Sequence, residues 1–167
     1  MASYDTADMT TPSNTPHIRG ATADDAAPMR AIALAAYAKY VPRIGREPSP
    51  MVADYEAAVA AKRAVVIEAA GSVRGYMIAW PESDAYFIDN IGVDPERQGD
   101  GLGRRLIDHA VMQADRLGLP ALRLYTNALM SENLSMYAHI GFVETHRALE
   151  KGFHRVYMRW TFPERKR

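Results

Sequence analysis

The chain has 167 residues, 48% of them hydrophobic, which is enough to bury a sizeable core within one domain. Lys and Arg together number 20, as do Asp and Glu, so the net charge gives no reason to expect a nucleic acid or an anionic membrane as partner. The lack of cysteine excludes disulfides, thiolate metal ligands and a cysteine nucleophile, and we expect no metal site. No apolar run reaches the length of a membrane span, and the N-terminus lacks the apolar core of a secretory signal, so we expect a cytoplasmic protein.

The first third of the chain predicts a tail followed by helices. Residues 1–16 are rich in Ser, Thr, Asp and Pro, which favours a mobile tail. A short strand is predicted at 17–19, and a helix of about four turns begins after Thr22, a residue suited to capping. Three prolines in residues 41–50 predict a stiff loop, after which helical spacing resumes over 51–61.

The rest of the chain alternates between strand and helix patterns. Strands are predicted at 64–69, 73–80, 85–93, 122–126, 142–148 and 153–161, and helices at 101–117 and 131–138. Antiparallel strands followed by a strand–helix–strand unit predict an α/β fold with a central mixed, mostly antiparallel sheet flanked by helices. One domain is expected over 17–162, followed by a charged tail at 163–167.

A glycine-rich turn joins the predicted strand 85–93 to the following helix, with Gly99, Gly101 and Gly103 at alternate positions. Such a turn directs unpaired backbone N–H groups and the positive end of the helix dipole toward one point, which suits a phosphate. The spacing matches neither the dinucleotide fingerprint nor the Walker A pattern. Two interpretations stay open: glycines that serve turn geometry alone, and a loop that holds the pyrophosphate of coenzyme A.

Two blocks of the chain resemble the GNAT superfamily, the Gcn5-related N-acetyltransferases. One block runs over 91–103 and contains the glycine turn, and the other runs over 133–142, where Tyr137 precedes Gly141 and Phe142. The blocks occur in the order of the family, with one helix and one strand between them. Many members have a longer interval between the asparagine and the tyrosine, but Asn133 and Tyr137 lie one helical turn apart and can share a face.

The resemblance implies an acetyl-CoA-dependent N-acetyltransferase that transfers the acetyl group directly to a primary amine. The residues that it assigns to the cofactor are Ile91, Gly92, Val93, Arg97, Gln98, Gly99, Asp100, Gly101, Leu102, Gly103, Arg104, Asn133, Ser135 and Tyr137. It also implies that a backbone N–H near Val93, at a distortion of the strand, polarises the thioester carbonyl. Tyr137 is the expected proton donor to the leaving thiolate, because a phenol with a pKa of about 10 keeps its proton at neutral pH.

The attacking amine must be neutral, so a base near the thioester is expected. Asp89 is the candidate base, and strand alternation places it on the same face as Ile91; a hydrogen-bonded strand carboxylate is the alternative. The segment between the first two helices is rich in aromatic residues, proline and arginine, and in the family this region faces the acceptor. The predicted acceptor-binding residues are Tyr37, Tyr40, Arg43, Met51 and Asn90, with the tyrosine and arginine side chains suited to a small amine that carries a carboxylate.

Two other functions are compatible with the same turn. One is a non-catalytic acyl-CoA-binding or sensor module, and the other is a nucleotide-binding protein that uses the glycine loop. The acceptor itself is not identified by the sequence, and small-molecule and peptide amines both fit. A homodimer is a further possibility, while nucleic acid and membrane are not expected partners.

Overall fold

The computed structural model describes residues 14–164, in which seven strands and six α-helices follow one another. The strands are β1 (His17–Gly20), β2 (Ala64–Ala69), β3 (Ser72–Pro81), β4 (Tyr86–Val93), β5 (Ala121–Asn127), β6 (Val143–Glu150) and β7 (Phe153–Thr161). The helices are α1 (Ala26–Tyr37), α2 (Val41–Ile44), α3 (Ser49–Val52), α4 (Tyr55–Ala60), α5 (Leu102–Arg116) and α6 (Ser131–Ile140). The predicted tails at 1–16 and 163–167 lie mostly outside the described residues. No helix in the described part of the chain combines the length and the apolar character that a membrane span needs.

All seven strands form one sheet in the order β1-β2-β3-β4-β5-β7-β6. Every neighbouring pair is antiparallel except β4 and β5, which are parallel, so the predicted α/β fold with a mixed, mostly antiparallel sheet is confirmed. The parallel pair is short, because only Tyr86–Ile88 of β4 pairs with Leu122–Leu124 of β5. Beyond Ile88 the two strands no longer pair, and we call the resulting opening between them the strand gap.

Helices cover both faces of the sheet, and alternate strand residues are buried beneath one set or the other. In β2, Val66 packs in the cluster under α1 while the next residue, Ile67, packs in the cluster under α5. This alternation follows from the two-residue repeat of an extended strand. Because both faces are buried, the central strands read as nearly continuous apolar runs rather than as a polar–apolar alternation.

A β-bulge interrupts β4 at Asp89, which is the extra residue between two consecutive pairs with β3. Asn90 pairs with Ile78, whereas Ile88 pairs with Ala79, the next residue of β3. A bulge changes the alternation of the strand and re-aims the side chain that it carries.

The bulge corrects two predictions about β4. Asp89 does not share a face with Ile91: its carboxylate lies near the Tyr125 hydroxyl, whereas Ile91 packs with Ile88 in the cluster under α5. The distortion of the strand is at Asp89 and not near Val93, which pairs regularly with Gly75. Both errors have one cause, since the sequence predictions assumed an unbroken two-residue repeat.

The proline-rich segment 41–50 was predicted as a loop, but it forms α2 and the beginning of α3. Pro42 and Pro50 lie in the first turns of these short helices, where the missing N–H group has no intrahelical partner to lose. The helix predicted over 51–61 is interrupted between α3 and α4. Asp54 ends the break, because its side chain accepts a hydrogen bond from the Ala57 N–H and caps α4.

A partly buried ion pair fixes the entry to α1 and leads to a prediction about stability. Arg19 binds both carboxylate oxygens of Asp25, at 2.7 and 3.0 Å, and the backbone N–H of Thr22 donates to the same carboxylate at 2.7 Å. These bonds lower the pKa of Asp25 to about 2, the Arg19 hydrogen bond being the main cause. The charged carboxylate therefore stabilises the fold fully above its ordinary pKa, and the contribution is lost as the pH falls through about 2.

We expect the substitution Asp25→Asn to lower the free energy of unfolding by about 2 kcal/mol at neutral pH, as this pKa change implies. Urea denaturation at pH 7 and near pH 3 measures the effect, which should shrink at the lower pH. Asp24→Asn, at the exposed neighbouring position, is the matched control and should have little effect. Equal destabilisation by Asp25→Asn at both pH values would contradict this assignment.

Candidate active site

An open groove with a volume of about 460 Å³ runs from the glycine turn along the end of β4 to α6, and we call it the glycine-turn groove. The predicted cofactor residues that line it are Ile91, Gly92, Val93, Arg97, Gln98, Gly99, Gly101, Leu102, Gly103, Arg104, Asn133 and Tyr137. Two others do not line it. Asp100 lies 4.0 Å from the Arg97 guanidinium outside the groove, and Ser135 is exposed on α6.

The turn before α5 presents backbone donors to this groove. Gly99 and Gly101 have φ angles of +96° and +77°, a left-handed conformation that glycine adopts without strain. The Arg105 N–H is bonded to the Gly101 carbonyl at 3.1 Å, while the three preceding helix residues belong to the first turn, whose N–H groups lack intrahelical acceptors. Since the positive end of the helix dipole adds to these donors, the turn is suited to a phosphate or pyrophosphate.

The end of β4 forms the floor of the groove and presents a free strand edge, because β5 no longer pairs with it. A Cβ atom on Gly92 would lie 2.5 Å from the Tyr76 ring, so glycine is required where the strand crosses this side chain. The Tyr37 hydroxyl donates a 2.7 Å hydrogen bond to the Ile91 carbonyl. Tyr37 was predicted to bind the acceptor, and the structure places it at the meeting point of the groove and the strand gap.

A smaller cavity of about 90 Å³ lies within the strand gap, and we call it the strand-gap cavity. Its lining includes Asp89, Asn90 and Ile91 of β4, Tyr125 to Asn127 of β5, Pro48 to Pro50, Phe153 and Arg155. Tyr37, Ile91, Asn133 and Tyr137 line both this cavity and the glycine-turn groove. The two spaces therefore meet at these four residues.

Tyr137 is held at this junction by the motif that contains it. Gly141 ends α6 with a φ of +134°, and the N–H groups of Gly141 and Phe142 both donate to the Tyr137 carbonyl. This turn brings the Phe142 ring edge-on to the Tyr137 ring, with 5.6 Å between centroids. Tyr137 is 4% exposed, and burial raises the pKa of its hydroxyl well above the ordinary value. No described residue accepts a hydrogen bond from this hydroxyl, so its proton is available to a molecule at the junction.

Asp89 faces the strand-gap cavity from the bulge. Burial raises the pKa of its carboxyl, and the Tyr125 hydroxyl at 3.4 Å and the charge of Arg155 only partly offset this effect. Burial and the neighbouring Asp89 in turn raise the pKa of Tyr125 to about 12. Asp89 is thus a desolvated carboxylate whose pKa is moved toward neutrality, as a general base requires.

Three of the predicted acceptor residues are occupied by other contacts. The Asn90 amide accepts a hydrogen bond from the Tyr76 hydroxyl at 2.8 Å and donates one to the Tyr55 hydroxyl at 2.9 Å, so its side chain belongs to a hydrogen-bond network in the core. Arg43 forms a two-pronged ion pair with Glu132 at 2.7 and 2.9 Å. Met51 packs against a small apolar cluster beside the groove and lines neither space.

Tyr40, the remaining predicted acceptor residue, is buried and lines the glycine-turn groove rather than the strand-gap cavity. The cavity is instead lined by side chains that the sequence predictions did not include, chiefly Tyr125, Phe153 and Arg155. The sequence contained one signal for Phe153 and Arg155. Val156 and Met158 alternate as the buried face of β7, which puts Phe153 and Arg155 on the opposite face. The position of β7 beside β5, however, could not be read from the sequence.

The chain matches a protein family and curated proteins of known activity. The family model described as the acetyltransferase (GNAT) domain matches residues 60–144, just over half of the chain. The [ribosomal protein bS18]-alanine N-acetyltransferase of Escherichia coli K12 is 31% identical over 74 residues, which are 44% of this chain and 50% of that protein. The mycothiol acetyltransferase of Pseudarthrobacter chlorophenolicus is 42% identical over 52 residues, 31% of this chain and 16% of that protein. The matched segment spans at most half the length of these relatives.

Solved structures show the same fold over nearly the whole chain. The PaiA N-acetyltransferase of Thermoplasma acidophilum in complex with coenzyme A superposes with a TM-score of 0.75 at 15% identity, covering 89% of this chain and 99% of that one. The ribosomal-protein-S18-alanine N-acetyltransferase of Escherichia coli gives 0.70 at 20% identity, covering 91% and 97%. At such identities the likeness shows the fold alone, while the matched domain shows the family. The chain belongs to the GNAT acetyltransferase family.

Proposed function

We propose that the protein transfers the acetyl group of acetyl-CoA to a primary amine. The observation that carries this proposal is the junction at which Tyr37, Ile91, Asn133 and Tyr137 line both spaces. A donor held in the glycine-turn groove and an acceptor held in the strand-gap cavity would meet there. Membership of the family supports this function, as does the complex of a structural neighbour with coenzyme A.

The residues of the groove fit coenzyme A. The left-handed glycines leave the N–H groups of the first turn of α5 directed at the groove, which suits a pyrophosphate. Arg97 and Arg104 flank this turn with partly exposed side chains that add positive charge. The free edge of β4 offers backbone groups to the amides of pantetheine, in the way that an added strand would use them. When bound, acetyl-CoA supplies an activated acyl group with a thiolate as leaving group.

The chain provides an acid, Tyr137, at the junction and a base, Asp89, in the strand-gap cavity beside it. Asp89 takes a proton from the ammonium group, and the neutral nitrogen forms the C–N bond to the acetyl carbon. Tyr137 gives its proton to the sulfur as the C–S bond breaks, and the nitrogen, which still carries one proton more than an amide, returns that proton to the Tyr137 oxygen. The products are acetylated amine and free thiol, and Asp89 releases the first proton to water. The Tyr137 proton is retained until that moment because burial keeps its pKa high. A buried acid at the junction and a partly buried carboxylate in the adjoining cavity favour catalysis over a module that only binds acyl-CoA.

The test is incubation of the purified protein with acetyl-CoA and a panel of primary amines. We expect release of free thiol matched by an equal amount of acetylated amine, detected by mass spectrometry. Thermal unfolding with CoA, NAD and ATP should show the largest rise in midpoint with CoA, because a ligand that binds the folded state stabilises it. Stabilisation by CoA without any acetylated product would instead establish a binding module.

A glycine substitution in the turn tests how the donor is held. Gly101→Ala should weaken CoA binding by about tenfold, roughly 1.4 kcal/mol, because it disturbs the left-handed turn and places a Cβ beside the exposed N–H groups. Gly118→Ala is the matched control, since Gly118 also has a positive φ, of +68°, and lies outside the groove. Calorimetric titration with CoA measures the difference. Equal affinities for the two variants would show that the turn does not hold the cofactor.

A further inference from the structure

We propose that Asp89 and Arg155 form a two-point site for acceptors whose primary amine lies beside a carbonyl or carboxylate oxygen, as in a small α-amino acid or the first residue of a peptide. Asp89 would bind the amine, and Arg155 would bind the oxygen. This inference rests on the proposed acetyl transfer and names the class of acceptor for the same site.

The distribution of charge in the strand-gap cavity supports two points of recognition. Among the described residues that line it, the charged side chains are one carboxylate, Asp89, and one guanidinium, Arg155. Half of the remaining lining residues are apolar, and the others are uncharged Tyr, Ser, Thr and Asn. The Asn127 side-chain oxygen accepts from the Leu129 N–H, and the Thr126 hydroxyl is directed at the sulfur of Met130. These polar groups are therefore already engaged within the protein.

Arg155 is held in place before any ligand arrives. Its side chain is 11% exposed and its guanidinium lies 4.3 Å from the centroid of the Tyr125 ring. Glu150 binds one nitrogen, Nη1, at 2.9 Å, and Glu150 is itself fixed by the Tyr157 hydroxyl at 2.7 Å. Because a guanidinium has five N–H donors in a rigid fork, the contacts with Glu150 and Tyr157 orient the group without using all its donors.

Tyr125 connects the two charges and sets their spacing. Its hydroxyl is near Asp89, and its ring lies under Arg155, so one tyrosine side chain separates the carboxylate from the guanidinium. A single small molecule can reach both groups. Since the second ammonium of a polyamine would meet Arg155 rather than a carboxylate, the site should reject polyamines.

The size of the cavity limits the acceptor to a small residue. A volume of about 90 Å³ is only several times the roughly 10–15 Å³ that one water molecule needs, so the part of the acceptor that enters the cavity should be small. Alanine, with a methyl side chain, is therefore the probe that we choose. We assign to Arg155 the carboxylate-binding role that the sequence predicted for Arg43, because the Arg43 guanidinium already forms an ion pair with Glu132.

The experiment compares alaninamide, free alanine, an alanine tripeptide, isobutylamine and spermidine as acceptors with saturating acetyl-CoA. We expect the wild-type protein to prefer at least one of the three alanine compounds over isobutylamine and spermidine. The order among those three shows whether the oxygen belongs to a free carboxylate or to a peptide. Equal kcat/KM for isobutylamine and the best alanine compound would overturn the two-point site while leaving acetyl transfer intact. Failure to acetylate any amine would remove the proposed function itself.

Variants locate the oxygen site at Arg155. Arg155→Gln should raise KM for the preferred alanine compound by about tenfold or more relative to KM for isobutylamine, the range for a lost hydrogen bond to a charged group. Any change in the pKa of Asp89 affects both amines alike and cancels in this ratio, and KM for acetyl-CoA should stay unchanged. Comparing each amine between wild type and variant cancels the different amine pKa values. Arg159→Gln, on the same strand and paired with Asp84 outside the cavity, is the matched control, and Arg155→Lys replaces Arg155→Gln if the latter does not fold. An equal rise of KM for both classes of amine would contradict the assignment.

Discussion

Replacement of Tyr137 by phenylalanine should lower kcat by about 10²- to 10⁴-fold, the contribution expected of a positioned general acid. The ring would stay in place, because it is fixed by the edge-on contact with Phe142 and by burial. Only the hydroxyl would be lost, and it makes no hydrogen bond to a described residue whose removal could disturb the fold. The thiolate would then leave without a proton donor. Steady-state kinetics with acetyl-CoA and the best amine of the panel measures the change.

The affinity for CoA separates this chemical role from a structural one. Tyr137→Phe should bind CoA as tightly as the wild-type protein and should unfold at nearly the same temperature. Tyr86→Phe is a suitable control, since Tyr86 lines neither the groove nor the cavity. A kcat within twofold of wild type would show that another group protonates the thiolate. A parallel loss of CoA affinity would show that the hydroxyl acts in binding.

Replacement of Asp89 by asparagine should lower kcat/KM by about 10²-fold or more, because the amine loses its base. The pH dependence gives the sharper result. In the wild-type protein, kcat/KM should fall as the pH drops through the pKa of Asp89, which burial places above the ordinary carboxyl value. Protonated Asp89 cannot accept a proton, so activity is present above that pKa and lost below it. In the variant the limb at the pKa of Asp89 should disappear, and the fall in activity that remains should follow the pKa of the amine itself.

An exposed carboxylate provides the control for Asp89. Asp84→Asn removes an acid that pairs with Arg159 and whose side chain is 70% exposed, and it should leave the pH profile unchanged. If Asp89→Asn retains the limb at the pKa seen in the wild-type protein, the base is a different group. If Asp89→Asn loses activity equally at all pH values and also fails to bind the amine, Asp89 acts only in binding.

Most of the sheet and the grouping of residues around the glycine-turn groove could be predicted, because local patterns determine them. The apolar runs that form β2 and β3, and the left-handed turn at Gly99 and Gly101, are determined by residues that are close together in the sequence. A left-handed turn before a helix leaves the N–H groups of the first helical turn without intrahelical acceptors, independently of distant parts of the chain. This is why the predicted cofactor residues, apart from Asp100 and Ser135, line one groove.

The lining of the strand-gap cavity could not be predicted, because it depends on contacts between distant parts of the chain. The strand gap exists because β5 stops pairing with β4 after Ile88, and Arg155 reaches it because β7 lies beside β5. The face of Asp89 depends on a bulge with no sequence marker. The neighbours of Arg43 in the sequence made it a candidate for binding the acceptor. Its guanidinium instead forms an ion pair with Glu132, 89 positions away in the sequence.

A crystal structure of the protein with acetyl-CoA tests the central claim most directly, since that claim places donor and acceptor at one junction. The pyrophosphate should accept hydrogen bonds from the N–H groups of the turn before α5. The sulfur should lie within hydrogen-bond reach of the Tyr137 hydroxyl, with the acetyl group directed toward Asp89 across the strand gap. A pyrophosphate bound away from the glycine turn, or a thioester remote from Tyr137, would contradict the proposed site.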